Sequence, residues 1–493
     1  MEQCITQRRK VQINDYFKID HFMKPGYRKL KFWKLIFFLF VIASPIANAQ
    51  RLKVSENGRF LVTENDRPFF WLADTAWELF HRCSREEVDM YLSIRKSQGF
   101  NVVQAVALAE LDGLNGPNAY GDRPLLNNDP ENPNEAYFKH LDYVIDKAEG
   151  LGLYIALLPS WGDKLFKNTW GTGPEILDVR SAGVFGKYLG SRYKDRTNIV
   201  WIIGGDRNPR ENSNDVMVWN SMAEAIAQSV GGYDKALMTF HPQPNKDGGS
   251  SNWFHEEPWL DFNMHQTGHC ADQPTYNLIK NDYDRKVIKP VLDGEPLYED
   301  HPNCFNSKEL GYSEPSDIRR IMYWNVFAGA LGQSYGCHDV WQMYTVGKEP
   351  VNGPLRPWKK ALHLPMANQM KHLKNLFLSR PFLSRVPDET IVTDQQTHDE
   401  NYVISTRDSE GTYAMVYFPT GQERSIDLSS LKGESFHTWW YDPRTGNSFP
   451  GNSLIKGDGV SITPPTSGKG NDWVLVVDAI NEKKSPPGIL DKI

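Results

Sequence analysis

Short apolar runs alternate with stretches of helical periodicity from residue 50 to about residue 340. Each run is nearly continuous in apolar residues and ends in polar or charged ones, as expected for strands buried on both faces of a parallel sheet. Eight such runs predict eight strands: Phe69–Asp74, Phe100–Val106, Tyr154–Trp161, Ile199–Asp206, Ala236–His241, Asp261–Thr267, Lys289–Glu295 and Gly332–Trp341.

The segments between these runs have apolar residues at helical spacing. A Ser–x–x–Glu capping box at Ser84–Glu87 marks the start of one helix. Helices are predicted over Val88–Lys96, Tyr137–Leu151, Asn214–Val230 and Asp317–Ala330. Eight alternations of strand and helix predict a (β/α)₈ TIM barrel over residues 50–384.

The pattern changes at residue 385. Five β-rich segments with turn signals between them occupy residues 385–480, and Asp442–Gly446 is one of the turns. This spacing predicts a small antiparallel β-sandwich domain after the barrel. Residues 481–493 are predicted to be a loose tail.

The first 49 residues have the pattern of a secretory signal peptide preceded by an extension. Basic residues come before the apolar run Leu35–Ala43, and Ala47-Asn48-Ala49 is a small-x-small cleavage site. The sequence therefore predicts an exported protein, either periplasmic or secreted to the cell surface of a bacterium. No later segment has the run of about 20 apolar residues that a stable membrane span needs.

Loss of this segment makes the protein more acidic. It removes nine Lys and Arg and three Asp and Glu, so the formal net charge of −6 becomes −12. An acidic protein is a poor partner for nucleic acid. Four cysteines remain without a Cys-x-x-Cys pair, which argues against a zinc ribbon. Cys270 and Cys304 are candidates for a disulfide, although a large exported enzyme does not require one.

The carboxyl ends of the predicted strands lead to polar and aromatic side chains. In a TIM barrel this face carries the active site. The chain has 15 Trp, and an indole can stack on the apolar face of a sugar ring. A substrate-binding role is predicted for Asp74, Trp77, Glu110, Trp161, Asn208, His241, His265, Gln266, His338, Asp339 and Trp341.

Asp206 and Glu295 have the strongest pattern for catalysis. Each follows an apolar run and glycine, which lets the backbone turn tightly and approach a substrate. Carboxylates on strands four and seven would face each other across the barrel mouth, as hydrolysis of a glycosidic bond requires. Asp293 and Glu299 are the neighbouring carboxylates that could take the catalytic role in place of Glu295. For Asp206 and Glu295, the alternative to catalysis is a structural ion pair.

Four histidines near strand ends leave a metal site as an alternative. His241, His265, His269 and His338, with Asp74 or Asp339, could ligate a metal. However, the first strand has no His-x-His pair, and no lysine stands where a bridging ligand is usual. The preferred interpretation needs neither metal nor cofactor, with these histidines binding sugar hydroxyls.

Four motifs resemble the apiosidase-like catalytic domain of glycoside hydrolase family 140. They are Phe70–Trp77, Trp201–Asp206, Asp293–Pro296 and Tyr335–His338, and the resemblance extends over about residues 50–380. It implies release of the branched pentose apiose, or of chains ending in it, from the pectic polysaccharide rhamnogalacturonan II. It also implies that Asp206 is the general acid/base and Glu295 the nucleophile.

The segment from about residue 385 to 480 resembles the collagen-binding-type sandwich that follows this domain in many members. Nothing in its composition favours collagen, so we expect an accessory domain packed on the barrel. The predicted partner of the protein is a polysaccharide or oligosaccharide. Two alternatives to a retaining glycosidase stay open: a metal-dependent hydrolase on a TIM barrel and a non-catalytic glycan-binding barrel.

Overall fold

A small antiparallel sheet precedes the barrel. The computed structural model describes residues 49–457, 459–482 and 484–490. The predicted extension and signal peptide lie almost entirely in residues 1–48, outside the described residues, and stay a prediction. The small sheet has the order β1-β2-β3 and consists of β1 (Leu52–Val54), β2 (Leu61–Thr63) and β3 (Pro68–Phe69).

Eight parallel strands follow, and their apolar side chains are buried. Strands β11-β4-β5-β6-β7-β8 form one continuous sheet, and β9 and β10 form a parallel pair. Hydrogen bonds from Asp261 N to Met238 O (2.9 Å) and from Leu331 N to Val291 O (2.8 Å) connect this pair to its two neighbours and close the barrel. The strands are β4 (Trp71–Thr75), β5 (Val102–Leu108), β6 (Tyr154–Ser160), β7 (Ile199–Gly204), β8 (Met238–His241), β9 (Asn263–His265), β10 (Val291–Asp293) and β11 (Gly332–Tyr335).

Helices cover the outside of the barrel. The capping box predicted at Ser84 is present: its side chain accepts from Glu87 N, and the Glu87 carboxylate accepts from Ser84 N. The helices are α1 (Leu79–Arg82), α2 (Arg85–Ser97), α3 (Glu135–Gly150), α4 (Val179–Tyr193), α5 (Asp215–Val230), α6 (Ser251–Phe254), α7 (Tyr276–Tyr283), α8 (Ser307–Leu310), α9 (Pro315–Phe327), α10 (His338–Trp341), α11 (Trp358–Ala361) and α12 (Pro365–Leu378). The TIM barrel predicted from the sequence is confirmed.

The amino-terminal end of the barrel is closed by the small sheet. Leu52 and Leu61 of that sheet belong to the same buried cluster as Val102 and Val200 of the barrel strands. Phe69 packs edge-on against Tyr154 at the start of β6, with ring centroids 5.2 Å apart. Because this end is plugged by apolar side chains, the opposite, carboxyl-terminal end is left to build a site.

The C-terminal strands form antiparallel sheets. One sheet has the order β12-β13-β14-β20-β16-β17, with β18 beside β16, and a second consists of β15 and β19. The strands are β12 (Arg385–Pro387), β13 (Ile404–Asp408), β14 (Tyr413–Phe418), β15 (Arg424–Ile426), β16 (Ser435–Tyr441), β17 (Ser448–Pro450), β18 (Leu454–Ile455), β19 (Val460–Ile462) and β20 (Trp473–Ala479).

The larger of these sheets packs on the barrel helices. Alternate residues of β14 divide between two cores: Tyr417 belongs to the barrel core, and Val416 to the core between the C-terminal sheets. Tyr417 stacks on Tyr323 of α9 with centroids 4.9 Å apart. The buried pair of Arg319 and Asp472 adds an ion pair across the same contact. The C-terminal domain is therefore packed on the barrel.

Two details of the sequence prediction are wrong. The eighth strand ends at Tyr335 rather than at Trp341, because Gly336 O and His338 N bond to the backbone of Glu299 and the chain then enters α10. The tail is not loose in its described part, since Gly488 N donates to Ser379 Oγ at 3.0 Å.

Candidate active site

Asp206 follows a sharp turn at the end of β7. Gly204, Gly205 and Asp206 have φ values of +77°, +149° and +47°. A Cβ on Gly204 would lie 2.3 Å from the ring of Phe240, and one on Gly205 would lie 2.7 Å from the ring of Trp161. Both positions therefore need glycine, in conformation and in space. The turn takes the Asp206 carboxylate out of the strand direction and into the barrel mouth.

Two donors hold one oxygen of this carboxylate. Trp170 Nε1 donates to Asp206 Oδ2 at 3.1 Å, and Arg207 donates to the same oxygen at 3.0 Å. Burial and the negative charge of Glu295 raise the pKa of Asp206 to about 6, although Arg207, Trp170 and His241 oppose the shift. Asp206 therefore holds a proton in mildly acidic solution, as a general acid must.

Glu295 lies just beyond β10, where Gly294 again permits a close approach. A Cβ on Gly294 would lie 2.6 Å from Met264 Sδ. The Glu295 carboxylate is 3.0 Å from His241 Nε2, at ion-pair distance but out of hydrogen-bond alignment, and 3.4 Å from His269 Nε2. Burial alone would raise its pKa, but the two imidazoles outweigh burial and lower it to about 2.

The two carboxyl groups therefore have opposite protonation preferences in one cavity. Glu295 is ionised under conditions in which Asp206 keeps its proton. Such a separation is what assigns acid and nucleophile in two-carboxylate sites. The cavity has a volume of about 1000 Å³ and is also lined by side chains that include Trp77, Glu110, Trp161, Trp170, Gln266, His269, Tyr298, His301, Phe305 and Trp341.

Five of the predicted substrate-binding residues line this cavity: Trp77, Glu110, Trp161, Gln266 and Trp341. Glu110 adds a third carboxyl group to the cavity. Burial, followed by the charges of Asp206 and Asp163, raises its pKa well above the ordinary value. Glu110 therefore favours its neutral form more strongly than an ordinary glutamate does.

Two other predicted residues lie behind the cavity surface. His241 is fully buried beside Glu295, and its Nδ1 is 3.3 Å from Asp206 N. Because a carboxylate only accepts hydrogen bonds, Nε2 must carry a proton to interact favourably with Glu295. Asn208 accepts from Gln243 N through Oδ1 at 3.0 Å and so holds the loop after β8.

The remaining four predicted substrate contacts are buried and bonded to other protein groups, and none of them is among the residues that line the cavity. Asp74 forms an ion pair of 2.6 Å with Arg95. His265 binds Asp282 at 2.9 Å. His338 and Asp339 instead bond to the backbone of the segment 351–356, as their contacts with Val351 O, Asn352 O, Leu355 N and Arg356 N show.

The two carboxylates that could take the role of Glu295 also have other partners. Asp293 accepts from Thr267 Oγ1 at 2.7 Å and from Asn325 Nδ2 at 2.8 Å. Glu299 accepts from the Tyr335 hydroxyl at 2.6 Å. Neither lines the cavity.

Several cavity residues were not predicted as substrate contacts, and Trp170 and Tyr298 are among them. Trp170 lies in the long loop after β6, where no periodicity indicates its direction. Tyr298 follows Glu295 by three residues, and its hydroxyl accepts from Trp77 Nε1 at 3.2 Å. His269, one of the histidines expected to bind sugar hydroxyls, lines the cavity, contacts Glu295 and stacks on His301 with centroids 4.1 Å apart. The closeness of Tyr298 to Glu295 along the chain was the one sequence signal that Tyr298 could lie at the same strand end.

Although His241 and His269 both lie beside Glu295, the four histidines of the metal alternative form no cluster of three close ligand atoms in the described part of the chain. Within the described ranges, the one group of three His, Cys, Asp or Glu side chains with ligand atoms close together is Cys270, Asp272 and Cys304. Cys270 and Cys304 form a disulfide, so their sulfurs are already bonded to each other. The disulfide joins the loop after β9 to the loop after β10 at the rim of the cavity.

The sequence profile described as "Apiosidase-like, catalytic domain" matches residues 55–384. The chain belongs to the apiosidase-like family. The profile of a collagen-binding domain of a collagenase matches residues 386–478. No curated protein matches this apiosidase-like chain. The part of the chain that the structure describes has no helix long and apolar enough to cross a membrane.

Solved structures give the same class of enzyme. A glycoside hydrolase family 5 protein from Bacteroides vulgatus ATCC 8482 is 33% identical, with a TM-score of 0.80, covering 89% of this chain and 97% of its own. A second structure, named only as a glycoside hydrolase, is 34% identical with a TM-score of 0.79, covering 88% and 98%. This apiosidase-like protein is a glycoside hydrolase, and its substrate is a carbohydrate.

Proposed function

We propose that the protein hydrolyses its glycosidic bond by a retaining mechanism, with Asp206 as acid/base and Glu295 as nucleophile. The observation that carries the proposal is that both carboxyl groups line one cavity, with hydrogen-bond donors on Asp206 and two imidazoles beside Glu295. The opposite shifts of their pKa agree with this arrangement. Glu295 attacks the anomeric carbon while Asp206 gives its proton to the departing oxygen. In the second step Asp206 takes a proton from water, and the water oxygen attacks the anomeric carbon. The bond from that carbon to Glu295 breaks, which restores the carboxylate and releases the sugar.

The substrate proposed is a pectic glycan of the rhamnogalacturonan II type, and the sugar released is apiose or a chain ending in it. Membership in the apiosidase-like family supports this substrate. The lining of the cavity is also suited to a neutral sugar. Among the described lining residues, Lys246 is the only Lys or Arg, and the others are mainly aromatic, amide and carboxyl side chains. A neutral pentose fits this lining better than a uronate does.

The test is a release assay on purified rhamnogalacturonan II oligosaccharides, read by the mass of the products. We expect a neutral pentose, or an oligosaccharide ending in it, from the wild-type protein and none from Glu295→Gln. Proton NMR of the first product should show the anomeric configuration of the substrate. Products from other glycans only would disprove the pectic substrate, and inverted configuration would disprove the retaining mechanism.

We also propose that the protein acts outside the cytoplasm. The signal-peptide pattern supports this location, and so does the Cys270–Cys304 disulfide, since disulfides persist in oxidising compartments. Amino-terminal sequencing of the protein from the periplasm or the medium should find Gln50 as the first residue. Recovery of the uncleaved chain in the cytoplasm would disprove the proposal.

A further inference from the structure

Trp170 combines an exposed ring with a buried partner. It lies in the loop between β6 and α4, and about half of its surface is exposed (49%). Its indole N–H nevertheless donates to Oδ2 of Asp206 at 3.1 Å. Trp170 therefore connects a solvent-exposed ring to the proposed acid/base.

The loop holds Trp170 in place through several backbone contacts. Asp163 accepts from Thr172 N at 3.1 Å and from Gly173 N at 3.0 Å, so the start of the loop is bonded to its later part. Arg207 donates to Phe166 O and to Lys167 O, each at 3.0 Å, and ties the loop to the residue after Asp206.

Gly171 permits this close packing. A Cβ at this position would lie 2.2 Å from Lys167 O and 2.8 Å from the Arg207 guanidinium. Only glycine therefore fits next to Trp170. The loop sequence thus places the indole directly over the proposed acid/base.

The two oxygens of Asp206 are not equivalent. Both Trp170 and Arg207 donate to Oδ2. Oδ1 receives no hydrogen bond from any residue that the structure describes. Because an oxygen that accepts two hydrogen bonds is a poor site for a proton, the proton of the acid form lies on Oδ1.

The ring of Trp170 also has two different faces. The Arg207 guanidinium lies over one of them, 4.8 Å from the ring centroid. The opposite face has no such partner among the described residues, and Trp170 lines the cavity. An exposed indole face of this kind is suited to stacking on the apolar face of a sugar ring.

We propose that Trp170 positions Asp206 for proton delivery from Oδ1 and stacks on the leaving-group sugar. This inference rests on the proposed retaining mechanism. As Glu295 forms its bond to the anomeric carbon, the bond from that carbon to the glycosidic oxygen breaks. The proton on Oδ1 passes to this oxygen, and the negative charge left on Asp206 is stabilised by the donors on Oδ2.

Two substitutions separate the roles of Trp170. Trp170→Phe keeps an aromatic face and removes the N–H, whereas Trp170→Ala removes both. Without the N–H, the pKa of Asp206 rises, because the hydrogen bond favours the charged form. A general acid must be protonated, so the basic limb of kcat/KM should move upward by about 0.5–1 pH unit in both variants.

The leaving group adds a second readout. Trp170→Phe should lower kcat on the natural glycan and leave an activated aryl glycoside nearly unaffected, with KM unchanged. Trp170→Ala should in addition raise KM for the glycan by roughly 3–10-fold. Phe305→Leu is the control, since this exposed ring lines the same cavity and packs on His269 and His301. It should leave the basic limb where it is in the wild type.

The outcomes separate this inference from the proposed mechanism. An active wild-type enzyme whose basic limb is unchanged in Trp170→Phe would overturn the inference alone. An equal upward shift in Phe305→Leu would also overturn it, since the shift would then not depend on the indole N–H. A wild-type protein that hydrolyses no glycoside would overturn the proposed mechanism and this inference together.

Discussion

The mouth of the barrel between β7 and β10 differs from its opposite arc at β4, although each has a carboxylate at or just beyond the end of an apolar strand. At β4, Asp74 is completely buried against Arg95 and Tyr91. At β7, Asp206 faces a cavity that also contains Glu295. A carboxylate at a strand end thus becomes structural or reactive according to the elements that pack against it.

Helix α2 explains the fate of Asp74. Tyr91 and Arg95 are four residues apart, so they lie on one face of the helix and reach the same carboxylate. At β7, by contrast, Gly204 and Gly205 form a turn with positive φ before Asp206, which lines the cavity. The comparison predicts that replacing aspartate by asparagine mainly lowers stability at Asp74 and mainly lowers turnover at Asp206.

The largest expected effect on turnover is that of Glu295→Gln. The variant keeps the shape of the side chain and removes the nucleophile, so kcat should fall by at least about 10⁴-fold on every substrate. Good leaving groups should not restore the rate, because they do not replace the attacking oxygen. Rates on natural and aryl glycosides, with circular dichroism to verify folding, provide the measurement. Residual activity within tenfold of the wild type would exclude Glu295 as nucleophile.

Asp206→Asn should lower kcat on poor leaving groups by about 10²–10⁴-fold. Activated aryl glycosides should be spared in the first step, since they leave without a proton. Added azide should restore turnover on them, because it attacks the intermediate without a base. If the variant kept the wild-type rate on the natural glycan, Glu110 would be the next candidate, since it lines the same cavity.

The pH profile should distinguish the two carboxyl groups of the mouth. Activity needs Glu295 ionised and Asp206 protonated. It should therefore fall below pH about 2 and above pH about 6, the values to which the two pKa are shifted. His269→Asn removes a contact that lowers the pKa of Glu295, so only the acidic limb should move upward. A rate that increases through pH 6 to 8 would contradict the assignment.

Asp74→Asn should have the smallest effect on turnover and a large effect on stability. Loss of the charge leaves Arg95 unpaired in the interior, which costs about 3–5 kcal/mol of unfolding free energy. The kcat of the folded variant should remain that of the wild type. Asp206→Asn is the matched control: Arg207 keeps its hydrogen bonds to the backbone oxygens of Phe166, Lys167 and residue 206, so this neutral replacement should lower the melting temperature much less. Equal losses of stability in both variants would remove the distinction between the two regions.

The sequence was sufficient to predict the barrel and the carboxylates that line its cavity. Continuous apolar runs and a capping box are local signals, and the backbone turn at Gly204–Asp206 is encoded in the glycines themselves. The partners of Asp74 and His265 come from helices α2 and α7, at distances along the chain that periodicity does not connect. Trp170 was missed because its direction depends on Arg207 and on the loop closed by Asp163. The sequence had no pattern that joined these residues.

Trapping of the glycosyl–enzyme tests the central claim most directly. Asp206→Asn would be incubated with an activated 2-deoxy-2-fluoro glycoside of the sugar that the wild-type enzyme releases, because the fluorine slows both steps and the missing base slows the second. Peptide mass spectrometry should then find the sugar attached to Glu295. An adduct on any other residue, such as Glu110, would contradict the assignment of Glu295 as the nucleophile.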